Sequence, residues 1–223
     1  MQSPVVTQTA LVTGDRLSLE EFLYVWEELP DLKNAELIDG VVYVSSPVSR
    51  EHGSLDGRIA LWLGYYAQAT PGSEFALDST WLMLGSAPQP DAALRVLPSH
   101  GGQSRDEKRF STGAPELAVE ICVTSTDYDF GPKLRLYARA GVREYITIET
   151  FSKRIVWRVL QDGKYSAQLV SEDGILRSEV FPGLWLDEPA LWAGDGPKML
   201  AALHAGLATE EHSRFVERLA AHR

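Results

Sequence analysis

Glu116-Leu117-Ala118-Val119-Glu120-Ile121-Cys122-Val123, followed by Gly131 to Ala140 and then Glu144 to Glu149, reads as a strand, a helix and a second strand. In the first run the odd positions Leu117, Val119, Ile121 and Val123 are all apolar. The even positions are Glu116, Ala118, Glu120 and Cys122. A period of two marks a strand, and here one face is wholly apolar. Gly141 stands where a helix C-cap needs a left-handed residue, so the intervening helix ends there. Glu120 therefore sits mid-strand between apolar neighbours, a costly place for a carboxylate without a partner cation. A structural ion pair and a functional site are both open on that residue alone.

Working outward, Arg154–Leu160 and Lys164–Val170 read as further strands, joined by a turn at Gln161-Asp162-Gly163. Upstream, Pro88-Gln89-Pro90-Asp91 leads into a strand over Ala92–Leu97. Strands are also expected near Glu74–Leu77 and Thr80–Leu84, and Pro98–Gly113 reads as a polar loop. Ser49–Ala69 spaces Leu55, Ile59, Trp62, Leu63 and Tyr66 as one helical stripe. Ser18-Leu19-Glu20-Glu21 is a capping box opening a helix to about Glu28, stopped by Pro30. Asp39-Gly40 between Ala35–Ile38 and Val41–Val44 signals a hairpin. The sum is an α/β (α+β) fold with a central mixed sheet flanked by helices. The expected organisation is a tail over 1–16, one domain over 17–193, and a linker with a single C-terminal helix over 194–223.

Across 223 residues, apolar residues make up 44% and charged residues 23%, the balance of a folded domain. The lone Cys122 can form no internal disulfide and no cysteine metal cluster, which fits a reducing cytoplasm. Met1 to Arg16 lacks the basic start and apolar core of a secretory signal, and no apolar run is long enough to span a bilayer. No membrane role is expected. The net charge of −10 argues against nucleic-acid binding by bulk charge alone. It leaves room for a carboxylate site offset by a divalent cation. No Gly-x-Ser-x-Gly elbow or phosphate-binding glycine loop is present.

Four residues stand out for chemistry. Asp91 follows two prolines and opens a strand. Glu120 is the mid-strand carboxylate. Lys133 shares a helical stripe with Leu136, Tyr137 and Ala140, so its ammonium can reach the carboxylates or snorkel to solvent. Glu36, just before the hairpin turn, is a third acid or a solvent-facing residue. His52, early in a helix, reads as a surface or cap histidine. Two carboxylates with a lysine suit a hard divalent cation and a water, Mg²⁺ or Mn²⁺.

Glu36-Leu37-Ile38-Asp39-Gly40, Gln89-Pro90-Asp91, Val119-Glu120-Ile121 and Lys133 to Tyr145, in this order, resemble the Uma-type family of restriction endonucleases, a branch of the PD-(D/E)XK nuclease superfamily. The resemblance runs from about Leu17 to Trp192. It implies a restriction-endonuclease-like core and metal binding by Asp91, Glu120 and the backbone carbonyl of Ile121. Glu36 matches the family's upstream acid. The implied reaction is Mg²⁺-dependent hydrolysis of phosphodiesters in DNA. The chain departs from the superfamily pattern at Cys122, where a lysine is expected. The resemblance assigns that lysine's role to Lys133 and leaves Cys122 as a core residue. Ser125-Thr126-Asp127 resembles the family's polar loop, and Asp127 to Asp129 reads as a helix cap. Arg50, Arg58, Arg105, Lys108, Arg109 and Arg135 are the candidate phosphate contacts. A nuclease-fold module that binds DNA or a protein partner without catalysis is the competing reading. A homodimer, joined through the terminal helix, is also expected.

Overall fold

The computed structural model describes residues 10–32, 34–45, 49–122, 127–169 and 171–222, without the side chains of 127–130. Val123, Ser125 and Thr126, the side chains of Asp127 and Asp129, Val170 and most of the N-terminal tail lie outside the described residues.

Helix α1, Leu19–Glu27, starts on the expected capping box: Ser18 Oγ accepts from the Glu21 N–H, and Glu21 Oε2 accepts from the Ser18 N–H. Strands β1 (Ala35–Ile38) and β2 (Val41–Val44) pair antiparallel around Asp39 and Gly40. Both turn residues have positive φ, 50° and 77°, as a two-residue hairpin turn requires. Helix α2, Arg50–Ala69, is capped by Ser49 and buries Leu55, Ile59, Trp62, Leu63 and Tyr66. Then come β3 (Ser73–Leu77), β4 (Trp81–Leu82), β5 (Ala92–Val96), a 3-10 turn at Pro98–His100, β6 (Arg105–Glu107), β7 (Phe110–Thr112) and β8 (Leu117–Cys122). Helix α3 (Asp127–Ala140) crosses over to β9 (Glu144–Glu149), followed by β10 (Arg154–Gln161), β11 (Lys164–Ala167), β12 (Ile175–Arg177) and β13 (Trp185–Asp187). Helices α4 (Glu188–Ala193), α5 (Gly196–Leu207) and α6 (Glu210–Ala220) close the chain.

The main sheet has the order β11-β10-β9-β8-β5-β3. Its pairs are antiparallel except β8 with β9, which are parallel and joined through α3. The expected mixed sheet flanked by helices is what forms. β8 is an inner strand with both faces covered. Leu117, Val119 and Ile121 pack into the core with Leu55, Ile59 and Trp62 of α2. Ala118, on the other face, packs with Leu136 and Tyr137 of α3 and with Tyr145. A third cluster joins α1 to the β1–β2 hairpin through Phe22, Val25, Leu37 and Val42. No described helix is long and apolar enough to cross a membrane.

Several elements differ from expectation. The segment read as a loop over 98–113 carries the β6–β7 hairpin, which turns at Lys108 with φ 55° and is tied down by Arg95 and Asp106. Strands of three residues are too short to show alternation. The strand expected over 80–84 stops at Leu82, because Leu84 and Gly85 turn with positive φ. Helix α3 starts before the Gly131-Pro132 pair: a proline costs one hydrogen bond there without ending the helix. The C-terminal segment is two helices. Thr209 caps α6, its hydroxyl accepting from the His212 N–H, which breaks the single expected helix. Gly196 and Pro197, read as linker, open α5 behind the Asp195 cap. The apolar stripe of this segment, Met199, Leu203, Phe215 and Leu219, packs into the main core.

Candidate metal centre

Glu120 points from β8 toward α3, the face that the alternation of β8 assigns to even residues. Its side chain is 10% exposed. Lys133 lies on the inward side of α3, one turn before Tyr137, and both side chains meet it. Lys133 Nζ donates to Glu120 Oε1 and Oε2, each at 2.9 Å, and the Tyr137 hydroxyl donates to Oε1 at 2.9 Å. Lys133 also meets Glu36 Oε1 at 2.8 Å, from the end of the β1–β2 hairpin. That same Glu36 oxygen accepts from the Gln89 N–H at 2.5 Å. The lysine thus lies between two carboxylates brought from β1 and β8.

Asp91 enters from the other side. β5 and β8 pair Ala92 with Val119, so one step further along this antiparallel register sets Asp91 beside Glu120. Asp91 Oδ2 accepts from the Ile121 N–H at 2.5 Å, which locks the carboxylate to the end of β8. Its Oδ1 lies 3.5 Å from His52 Nε2, and the same nitrogen is 3.2 Å from Asp56 Oδ2. His52, Asp56 and Asp91 each offer a ligand atom, all within 4.8 Å of one another.

The electrostatics follow from this crowding. Burial pushes the Glu120 carboxyl up, to about 8, against the pull of Lys133, and the charges of Asp91 and Glu36 add to the rise. Burial also opposes the charge on Lys133, but Glu120 and Glu36 outweigh it and the ammonium keeps its proton. Hydrogen bonds to Asp56 and Asp91 raise His52 to about 10. Four carboxyl groups (Glu36, Asp56, Asp91, Glu120) and two cations (His52, Lys133) therefore crowd one site, the acids outnumbering the cations. That excess, with the grouped ligand atoms of His52, Asp56 and Asp91, is a setting that could hold a cation.

The structure thus brings together Glu36, Asp91, Glu120 and Lys133. It also brings in Asp56 and Tyr137, to which sequence reasoning gave no role, and places His52 differently. His52 is not a surface cap residue: its side chain is 12% exposed, between two carboxylates. The available signal was its spacing of four from Asp56 on one helix, a pair that shares a face. Tyr137 stands at the same spacing from Lys133. Cys122 is half-buried, and its thiol donates to the Ile148 carbonyl at 3.5 Å.

The six basic residues are not one patch. Arg58 donates to the Leu191 carbonyl at 2.9 Å and to Ser54 Oγ, tying α2 to α4. Arg105 lies 3.9 Å from Glu107, and Arg109 3.5 Å from Glu27 while stacking over Phe110. Arg50, Lys108 and Arg135 are exposed at the start of α2, the tip of the β6–β7 hairpin and the outer side of α3.

The pattern of the Uma2 family, described as "Putative restriction endonuclease", matches residues 19–189. The chain belongs to the Uma2 family. The fold agrees with that membership. A crystal structure described as "a putative nuclease belonging to DUF820", from Anabaena variabilis, superposes with a TM-score of 0.64 at 13% identity, covering 79% of this chain and 98% of that one. At that identity the likeness concerns the fold. No curated protein matches the chain. As a Uma2 member with a restriction-endonuclease-like core, the chain carries its acidic cluster around Asp91 at the end of the central strands, where β5 and β8 meet.

Proposed function

We propose that this Uma2 protein is a divalent-metal-dependent endonuclease that hydrolyses phosphodiester bonds in DNA. The observation that carries the reading is Lys133 Nζ, within 2.9 Å of both Glu120 and Glu36 in a site where acids outnumber cations. Asp91, Glu120 and the Ile121 carbonyl are the groups that would hold Mg²⁺ or Mn²⁺. Such an ion, when bound, polarises the phosphoryl oxygen and lowers the pKa of a water. Lys133 orients the attacking water and meets negative charge growing on the phosphate. Glu36 and Tyr137 keep Lys133 and Glu120 in register. Asp91 is fixed by the Ile121 peptide on one oxygen and by His52 on the other. Lys108 and Arg109, exposed on the β6–β7 hairpin, are phosphate contacts in this reading.

The test is plasmid cleavage by purified protein with Mg²⁺ and with Mn²⁺, beside Glu120→Ala and Lys133→Ala. Cleavage by wild type and by neither variant is expected. Mn²⁺ calorimetry on wild type and Glu120→Ala separates an unsuitable substrate from a missing metal site. A wild type that binds no Mn²⁺ would sink the proposal and leave a DNA- or protein-binding module.

A further inference from the structure

Helix α2 brings further ligand atoms to Asp91. Ser49 caps the helix by accepting from the His52 N–H at 3.1 Å, which fixes His52 in the first turn. Asp56 follows four residues later on the same helix face. Asp91 Oδ2 is taken by the Ile121 N–H, and Oδ1 is the oxygen that meets α2. His52 Nε2 lies 3.5 Å from that Oδ1 and 3.2 Å from Asp56 Oδ2, and the three ligand atoms are all within 4.8 Å of one another. Ligands about 2.1 Å from one octahedral ion stand about 3.0 Å apart as neighbours and about 4.2 Å apart across it. The triangle here is slightly wider, so a small inward shift of each side chain closes it on one ion.

Further observations point to a metal ion rather than to a closed ion pair. Asp56 Oδ1 is shielded from solvent and finds no hydrogen-bond partner among the described residues, a costly state for a carboxylate oxygen. An ion on Asp56 Oδ2 sits beside it, since both oxygens belong to one carboxyl group. Asp78, whose N–H donates to the Asp91 carbonyl at 3.2 Å, adds a third acid. Burial lifts its carboxyl above the ordinary range, and the charges of Asp91 and Asp56 add to the rise. Glu120 offers less: both its oxygens already accept from Lys133, and Oε1 from Tyr137 as well. The imidazolium proton of His52 now lies between two carboxylates, where a metal ion would lie. An ion bound to Nε2 takes that proton's place and releases it to solvent.

We infer that His52 and Asp56 are direct ligands of the cation that Asp91 holds, and that the imidazole makes this centre select a first-row transition-metal ion, Mn²⁺ or a later member, over Mg²⁺. Mg²⁺ takes oxygen ligands and sheds its water reluctantly, whereas imidazole suits first-row transition ions. The inference deepens the nuclease reading and rests on it for what the ion is used for, not for its binding. His52 is then more than a clamp on Asp91: it decides which ion the site accepts.

The experiment pairs calorimetric titration of the full chain, without nucleic acid, by Mn²⁺ and by Mg²⁺ with pulsed electron paramagnetic resonance of the Mn²⁺-loaded protein. Wild type is expected to bind Mn²⁺ about tenfold or more tighter than Mg²⁺ and to show the ¹⁴N coupling of a directly bound imidazole. His52→Ala should lose that coupling and weaken Mn²⁺ by about tenfold or more, with Mg²⁺ less affected, so that the preference shrinks. Asp56→Asn should weaken Mn²⁺ and keep the coupling. The inference is overturned if Mn²⁺ on wild type shows no ¹⁴N coupling, or if His52→Ala keeps the wild-type affinity and preference. The spectrum of wild type decides even where a variant fails to fold. Nitrogen-coupled Mn²⁺ on a protein that cuts no DNA keeps the centre and removes the nuclease; cleavage with Mn²⁺ that shows no ¹⁴N coupling removes the His52 ligand alone.

Discussion

Lys133 carries opposite loads in stability and in the proposed chemistry. It is the cation bonded to Glu120 and Glu36, so Lys133→Ala leaves two buried carboxylates facing each other. Breaking such a buried arrangement costs about 3–5 kcal/mol, to be read as a lower urea midpoint. Cleavage should fall by about 10²-fold or more, the scale of losing one aimed charge-stabilising donor. A variant that keeps wild-type stability would mean the lysine is not held as described. Glu144 tests burial without touching the metal centre. Burial lifts its carboxyl from 4.5 to about 7, against hydrogen bonds from Ser178 and the peptides of Glu179 and Val180. A carboxyl raised on folding contributes stability that is full below its unfolded value and lost as pH rises through the folded one. Glu144→Gln carries no such loss. Its stability relative to wild type should therefore grow between pH 5 and pH 8 by about 1–3 kcal/mol, measured by denaturation at both. A difference that is flat with pH would show that Glu144 is ionised at little cost. Glu120 and Lys133 were legible in sequence because strand and helix periods fix which way each faces. His52 was not: a histidine in a first helical turn looks like a cap, and only tertiary approach brings it to Asp91.

At the scale of elements, long periodic segments were readable and short ones were not. α2 and β8 show their stripes over many residues, whereas β6 and β7 have three residues each, and their pairing is fixed by Arg95 from another strand. That hairpin matters because Lys108 and Arg109 are exposed on it and held to nothing that the core needs. Replacing both by alanine should leave the melting temperature unchanged and weaken DNA binding. The slope of log K against log salt should shrink by up to about two, roughly one per lost phosphate contact. An unaltered slope in fluorescence anisotropy would take the hairpin out of the DNA path. The same substitutions should not change Mn²⁺ affinity, since neither residue touches Asp91, Glu120 or Ile121.

For the whole molecule, the composition gave a folded domain and the motif order gave the family, but the role of the last thirty or so residues was hidden. A glycine and a proline after Trp192 read as a linker because both punctuate chains, yet here Gly194 ends α4 with φ 70° and Pro197 sits in the first turn of α5. What holds α5 and α6 to the rest is close packing that a sequence does not display. Gly183 and Gly206 approach so tightly that a Cβ on Gly206 would lie 2.3 Å from the Gly183 carbonyl oxygen. Thr70 at the end of α2 meets His212 Nε2 at 3.0 Å in a buried contact. Met199, Leu203, Phe215 and Leu219 sit in the same core cluster as Ile59, Val119 and Ile146. Burial of such side chains is worth about 1.5–3 kcal/mol each. Four of them approach the whole stability of a domain, about 5–15 kcal/mol. We therefore expect truncation after Ala193 to yield an unfolded or aggregated chain rather than a trimmed nuclease core. Circular dichroism and solubility of the 1–193 fragment check this. A soluble fragment with a cooperative melt would show that the sheet, α2 and α3 suffice and that the C-terminal helices only cover them. Aggregation would tie the acidic cluster's rigidity to helices that never touch it, because α2, which carries His52 and Asp56, is the element they pack against.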